Sequence, residues 1–266
     1  MKCSEFNFKI NLYSSIDDNN NKGVAAKING KQRLYTGKFN LDLTTKYNFV
    51  QQDFKTIERL YNIEFNRDWN ISTVLGNQSL LQSGLNFNFF QKGYVRYQFE
   101  KLDFSQIFSG NRHLVESNLK FNKTALVTNF SAMNSQNEAY DSKFIRNQTK
   151  ILQHLDKNWV GATFNMEDNQ QENTETNEFT ALSQRFIEYG FFAGRGDSTN
   201  VYIEIGYKNR TNDSLVNNAV ERVNQSHSYY LKSQLIKTDK SNLSIYLNYR
   251  NLKYKDNQIP DETSLN

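Results

Sequence analysis

The chain has 266 residues, with 32 basic and 28 acidic side chains and a formal net charge of +4. The charges are interspersed, so no basic block or stripe marks a nucleic-acid footprint, and nucleic acid is not an expected partner. The 14% aromatic content argues against a disordered chain, and no run of about 18 apolar residues exists to form a membrane-crossing helix.

Taken in chain order, Met1-Lys2-Cys3 lead directly into an alternating segment rather than an apolar leader. Cys3 is the only cysteine, which excludes an intrachain disulfide and a cysteine-based zinc site. Phe6, Phe8, Ile10 and Leu12 then alternate with Asn7, Lys9 and Asn11. The same period of two recurs in Tyr35 to Leu43, in Tyr61-Ile63-Phe65, in Leu85-Phe87-Phe89 and in Val95-Tyr97-Phe99. It returns in Val201-Ile203-Ile205-Tyr207, in Tyr229-Leu231-Leu235 and in Leu243-Ile245-Leu247-Tyr249. Successive side chains of a strand point to opposite faces, so each segment presents one apolar and one polar face. A helical stripe would have to include the interleaved Asn and Lys positions; only residues 51–60 allow a turn or two of helix.

The links between these segments come in two kinds. Short polar turns are expected near Gly30-Gln32, Asn66-Asp68, Gln91-Gly93, Asn122-Lys123, Asp156-Asn158, Gly194-Asn200 and Lys237-Asn242. Longer polar links are expected at 14–22, 44–57, 103–112, 133–143, 167–178 and 211–227, with 76–79 as a short exception. The pattern predicts an all-β fold: one antiparallel up-and-down meander of roughly twelve to fourteen strands over 1–266, with no domain boundary.

Several strands, at 94–104, 179–193, 201–210 and 243–254, match the about 9–11 residues that a barrel strand needs to cross a bilayer. Aromatic residues near strand ends, Trp69, Tyr94, Trp159, Tyr207, Tyr249 and Tyr254, suit an interfacial girdle. The expectation is therefore an integral outer-membrane β-barrel or barrel segment with lipid as its partner and other envelope proteins as further candidates. The rival reading is a soluble or periplasmic β-sheet binding module, adhesin-like or carrying a lipid in an amphipathic groove.

The stretches YNIEFNRDWNI (61–71), KLDFSQIFSGNRHL (101–114), SQRFIEYGFFAGRGDSTNVYIEIGYKNRTNDS (183–214) and LSIYLNYRNLKY (243–254) carry a resemblance. They are similar in texture to strand-turn-strand units of large outer-membrane barrel proteins of Bacteroidota-type bacteria, without pointing to one family. The resemblance implies transport, translocation or anchorage of surface machinery. Set against that pattern, the missing leader and the terminal DETSLN, which lacks a closing aromatic strand, lead us to expect a segment of a longer chain.

No catalytic, cofactor or metal site is expected. His113, His154 and His227 are far apart and lack ligand spacing, and no nucleophile elbow or phosphate-binding loop occurs. The carboxylate-rich EDNQQENTETNE (167–178) lacks the order of a calcium loop, and the N-x-[ST] triplets at Asn70, Asn129, Asn147 and Asn212 are expected by chance in so Asn-rich a chain. The candidate functional residues are those of the polar faces: Arg96, Gln98, Glu100, Glu204, Lys208, Lys232 and Arg250, expected to face a lumen. GRGDSTN (194–200) contains an adhesive tripeptide, yet its flanks alternate up to the motif, so Gly194, Arg195, Gly196 and Asp197 are expected to form a short periplasmic turn.

Overall fold

A computed structural model describes residues 6–16, 22–54, 76–105, 107–197, 201–216, 219–237, 242–256 and 259–266. The strands are β1 (Phe6–Ile16), β2 (Lys22–Thr36), β3 (Asn40–Val50), β4 (Gln78–Asn88), β5 (Gly93–Phe104), β6 (Phe108–Phe121) and β7 (Thr124–Asn137). They continue as β8 (Tyr140–Leu155), β9 (Asn158–Asn173), β10 (Gln184–Gly196), β11 (Tyr202–Val216), β12 (Ala219–Lys237), β13 (Asn242–Tyr254) and β14 (Glu262–Leu265). All fourteen form one sheet whose spatial order is the chain order. That is the expected up-and-down meander, at the upper end of the expected strand number. By contacts the residues group into two compact units, 1–116 with 131–144 and 171–177, and 117–130 with 145–170 and 178–266.

The register converts local alternation into continuous rows. Because partners in an antiparallel pair share a face, apolar positions line up across strands. In the first unit, Leu43 faces Leu85, which faces Tyr97. In the second, Ile205 faces Leu231 and Leu231 faces Leu247, while Tyr207, Tyr229 and Tyr249 form the next row. Three register shifts, at Arg33/Tyr35, Asn212/Asp213 and Gln234/Ile236, add one residue each. Such a bulge changes which face the following residues take. The one at Leu34 keeps Tyr35 beside Leu41.

Short links join successive strands, at 37–39 and 89–92 in the first unit and at 122–123 and 156–157 in the second. Asn122 and Asp156 take positive φ of 53° and 57°, as tight hairpins with twisted strands demand of their first central residue. The expected turn at Gly30-Gln32 is corrected: these residues lie within β2, paired to both β1 and β3, and the chain turns at 37–39 instead. Asn66-Asp68 and Trp69 lie outside the described residues.

The expected long links are corrected more broadly. Much of 133–143, 167–178 and 211–227 is strand, and β7 and β8 are joined through residues 138–139 alone. Ladder formation needs backbone partners, not apolar side chains, and polar side chains add bonds of their own, as where Asn212 Nδ2 donates to Asn224 Oδ1 at 2.6 Å. Polar composition therefore marks strands that run on past the apolar zone.

GRGDSTN has a specific local geometry. Gly194, Arg195 and Gly196 pair with Glu204, Ile203 and Tyr202 as the last residues of β10, and Asp197 follows them. Gly196 has φ +117°, which other residues rarely adopt. Gly194 serves a different need: a Cβ there would lie 2.3 Å from the Trp159 ring. Replacing Gly194 with Val is expected to destabilise the fold by about 1–3 kcal/mol through this clash. Gly30→Ala, whose added carbon would meet nothing nearer than 3.8 Å, is expected to be neutral or slightly stabilising. Equilibrium urea unfolding of the two variants checks the contrast.

Candidate functional site

One face of the sheet is apolar and uncovered. In β10 the neighbours Phe191 and Phe192 differ sharply, 58% against 8% exposed, because they lie on opposite faces. Phe191 shares its face with Val160, Ile203, Ile205, Tyr229, Leu247 and Tyr249, all exposed. In the first unit, Phe8, Ile10, Leu12 and Leu81 share one face and are likewise exposed. A contiguous apolar surface of this kind marks a protein or membrane contact. The apolar stretch covers seven residues at the start of β11 (Val201, which precedes it, and 202–207), seven of β13 (243–249) and nine of β3 (41–49). Its contour of about 23–30 Å is on the scale of a barrel's lipid band, about 25 Å tall. A shallow concavity of about 960 Å³ on this face of the second unit is lined by Phe191, Ile205, Leu231 and Leu247 among others.

Polarity then rises in steps along the same face. Beyond Ile205 and Leu231 comes the tyrosine row: the rings of Tyr207 and Tyr229 are 5.2 Å apart, and those of Tyr229 and Tyr249 are 6.3 Å apart. Next come Asn209 and His227. The Tyr207 hydroxyl meets His227 Nδ1 at 2.8 Å, and Asn209 Nδ2 lies 3.1 Å from the same nitrogen. In the first unit, Tyr97 and His113 repeat the pairing at 2.9 Å. The third histidine, His154, lies near the 156–157 turn and gives its backbone N–H to Lys123 O. The three histidines do not converge on a site, and no cluster of metal-ligating side chains occurs among the described residues.

Further along, the carboxylate of Asp213 receives Arg222 Nε at 2.5 Å and Arg185 Nη2 at 2.9 Å. Burial pulls the Asp213 carboxyl upward, but these hydrogen bonds and charges outweigh it, and its pKa lies below the usual carboxylate range. At the opposite end of the strands, Lys123 beside Asp156 in the turn lowers that carboxyl too.

The other face is polar, and it carries all seven candidate residues. Arg96, Gln98 and Glu100 alternate along β5, and Glu204 and Lys208 along β11; Lys232 pairs with Glu204, and Arg250 with Ser228 opposite Lys208. In the first unit, Glu100 is 2% exposed. It accepts from Gln82 Nε2 at 2.5 Å, Gln98 Nε2 at 2.7 Å and Arg112 Nε at 2.6 Å. Arg96 reaches Glu116 at 3.3 Å. Beside Glu100 lies the main apolar cluster of the described residues, Leu80, Leu102, Phe104, Phe108 and Met133 with Phe144 packed against it. This cluster, absent from the sequence reading, fills the polar face toward the 105–107 link.

In the second unit, Glu204 accepts from Trp159 Nε1 at 3.0 Å and from the Tyr230 hydroxyl at 3.4 Å. Lys208 lies 3.8 Å from Glu188, and Lys150 sits 5.0 Å from the centre of the Phe192 ring. Trp159, expected at an interfacial rim, thus belongs to the polar face. Large rings on this face are the signal that sequence alternation missed, because they occupy positions that alternation assigns to polar residues.

No family model matches the sequence, and no curated protein matches it. Among solved structures, the outer membrane protein OpdK from Pseudomonas aeruginosa aligns over 98% of this chain and 95% of its own, with 8% identity and a TM-score of 0.38. A BenF-like porin from Pseudomonas fluorescens Pf-5 aligns over 100% and 97%, with 6% identity and a TM-score of 0.41.

Removing one partner of a buried, multiply bonded ion pair leaves the other uncompensated. Arg112→Ala is expected to cost about 3–5 kcal/mol in chemical denaturation, whereas Lys123→Ala, at an exposed pair, is expected to be nearly neutral. The lowered pKa of Asp213 means that its stabilisation is full above the unfolded value of about 3.9 and is lost as pH falls through its native value. Wild-type stability is therefore expected to fall more steeply than that of Asp213→Asn between about pH 5 and 2; parallel curves would contradict the linkage.

Proposed function

We propose that this chain works in the outer membrane as a β-barrel or barrel segment, its apolar face against lipid and its polar face along a solute path. The observation that carries the reading is the ordered change along one face of β11 to β13. Aliphatic residues give way to a tyrosine row, then to amide and imidazole, then to ion pairs. A lipid interior, an interfacial girdle and bulk water would select that order at those depths. A water-soluble sheet has no reason to leave Phe191, Ile205 and Leu247 bare.

On this reading the polar face serves transport, translocation or anchorage, and the chain performs no catalysis. The face carries paired charges of both signs rather than a nucleophile or a converging acid–base pair. On this reading Gly194 to Asp197, at the end of β10, belong at the periplasmic rim, and the polar strand extensions reach the outer surface. The Asn- and Lys-rich texture supports a source among Bacteroidota-type bacteria.

The 960 Å³ apolar concavity favours one second reading, a soluble sheet that shelters a lipid in an amphipathic groove. Detergent dependence separates the two. The membrane reading expects the refolded chain to need detergent or lipid to remain folded and dispersed; a stable monomer in plain buffer contradicts it. Ile205→Lys is expected to cost about 2–4 kcal/mol of folding stability in lipid vesicles, while Asn248→Lys, on the polar face, changes little. Equal costs would remove the distinction between the faces.

A further inference from the structure

Among the described residues, the polar face of the first unit has more cations than its anions can pair. Asp42 is taken by Lys31 and Arg33, Glu100 by Arg112 and Glu116 by Arg96. Lys9, Lys27 and Lys46 lie on the same face by register, and none of them has a carboxylate partner among the described residues. Excess charge of one sign on a wetted surface concentrates counter-ions there.

One place on this face is shaped to hold such an ion. Gly84 has Thr44 and Gln98 as its cross-strand neighbours, and its missing side chain leaves a floor between them. A Cβ at Gly84 would come within 3.0 Å of Tyr97 O and 3.2 Å of Thr44 Oγ1. Around that floor stand Lys31, Lys46 and Arg96, and together they enclose a cavity of about 270 Å³. Asp42 is at its edge, but Arg33 Nε at 2.6 Å and Lys31 at 3.7 Å already satisfy that carboxylate. Lys46 is exposed, has no carboxylate partner among the described residues, and pairs across with Gln82, two residues along β4 from Gly84.

We propose that this cavity is a subsite for a small oxyanion, a carboxylate or phosphate, held by the Lys46 ammonium with Lys31 and Arg96 supplying the surrounding positive field. The proposal rests on the transport reading and deepens it by naming the class of solute that the path takes. Strand pairing sets where the three side chains start, and the flexible lysine stems let the ammonium groups reach the ion. An ammonium, a point charge with three donors, accepts oxyanions of either geometry.

The test uses the full chain refolded in detergent micelles, with inorganic phosphate and succinate as probes in isothermal titration calorimetry, and circular dichroism to confirm folding. Lys46→Gln is expected to weaken both probes about tenfold or more. Lys46→Arg should retain binding, and Lys123→Gln, in the exposed 122–123 turn, should leave it unchanged. If neither probe binds the folded wild type, or if Lys46→Gln and Lys123→Gln lose affinity equally, the subsite is overturned. Lys46-dependent binding by a protein that stays folded and monomeric without detergent would support the subsite while removing the transport reading.

Discussion

A β-strand cannot satisfy its own backbone: each N–H and C=O must find a partner on the strand beside it. In this chain that demand is met by the nearest neighbour in sequence at each step, from β1 to β14. The meander then fixes everything else. Antiparallel pairing puts directly opposed residues on one face, so alternation in a single strand becomes an uninterrupted surface across many. Two chemically distinct surfaces follow from one backbone rule, and every candidate functional residue is a position on one of them.

The two surfaces stabilise the molecule in different ways. The polar face is tied internally, through the bonds to Glu100, the Trp159 and Tyr230 contacts to Glu204 and the Leu80–Leu102–Phe104 cluster. These contacts hold strands in register irrespective of the solvent outside. The aliphatic zone of the apolar face leaves large side chains such as Ile205 and Phe191 uncovered. Its stability depends on an environment that water does not provide, which is why the environment is the central functional question. The basic cavity over Gly84 belongs to the internally tied face.

Much of this was legible from residue order. Val201 to Tyr207 and Leu243 to Tyr249 alternate without interruption, and their faces follow directly; the seven polar-face candidates needed only parity. Turns with a tight-hairpin composition, Asn122-Lys123 and Asp156-Lys157, were equally readable because a positive φ favours those residue types. The misplaced turn at Gly30 shows the limit. A glycine inside a strand reads locally like a turn, and only its pairing with Phe8 and Thr45 shows otherwise. The polar strand extensions escaped for a related reason: hydropathy reports what a face meets, whereas pairing is decided by the neighbouring backbone. Bulges at Leu34 and Leu235 interrupt the parity itself. Cavity shape at Gly84 depends on four strands at once and leaves no trace in any one of them.

The central claim is that one face of this sheet meets lipid and the other meets water. It is tested most directly by a nitroxide scan of β11, one label at a time from residue 202 to 208, with the protein in lipid vesicles. The measurement compares collision with oxygen, which concentrates in the bilayer, against collision with a water-soluble nickel chelate. The account predicts a period of two, with 203, 205 and 207 favouring oxygen and 204, 206 and 208 favouring nickel. Uniform accessibility along the strand, or the opposite phase, would contradict it.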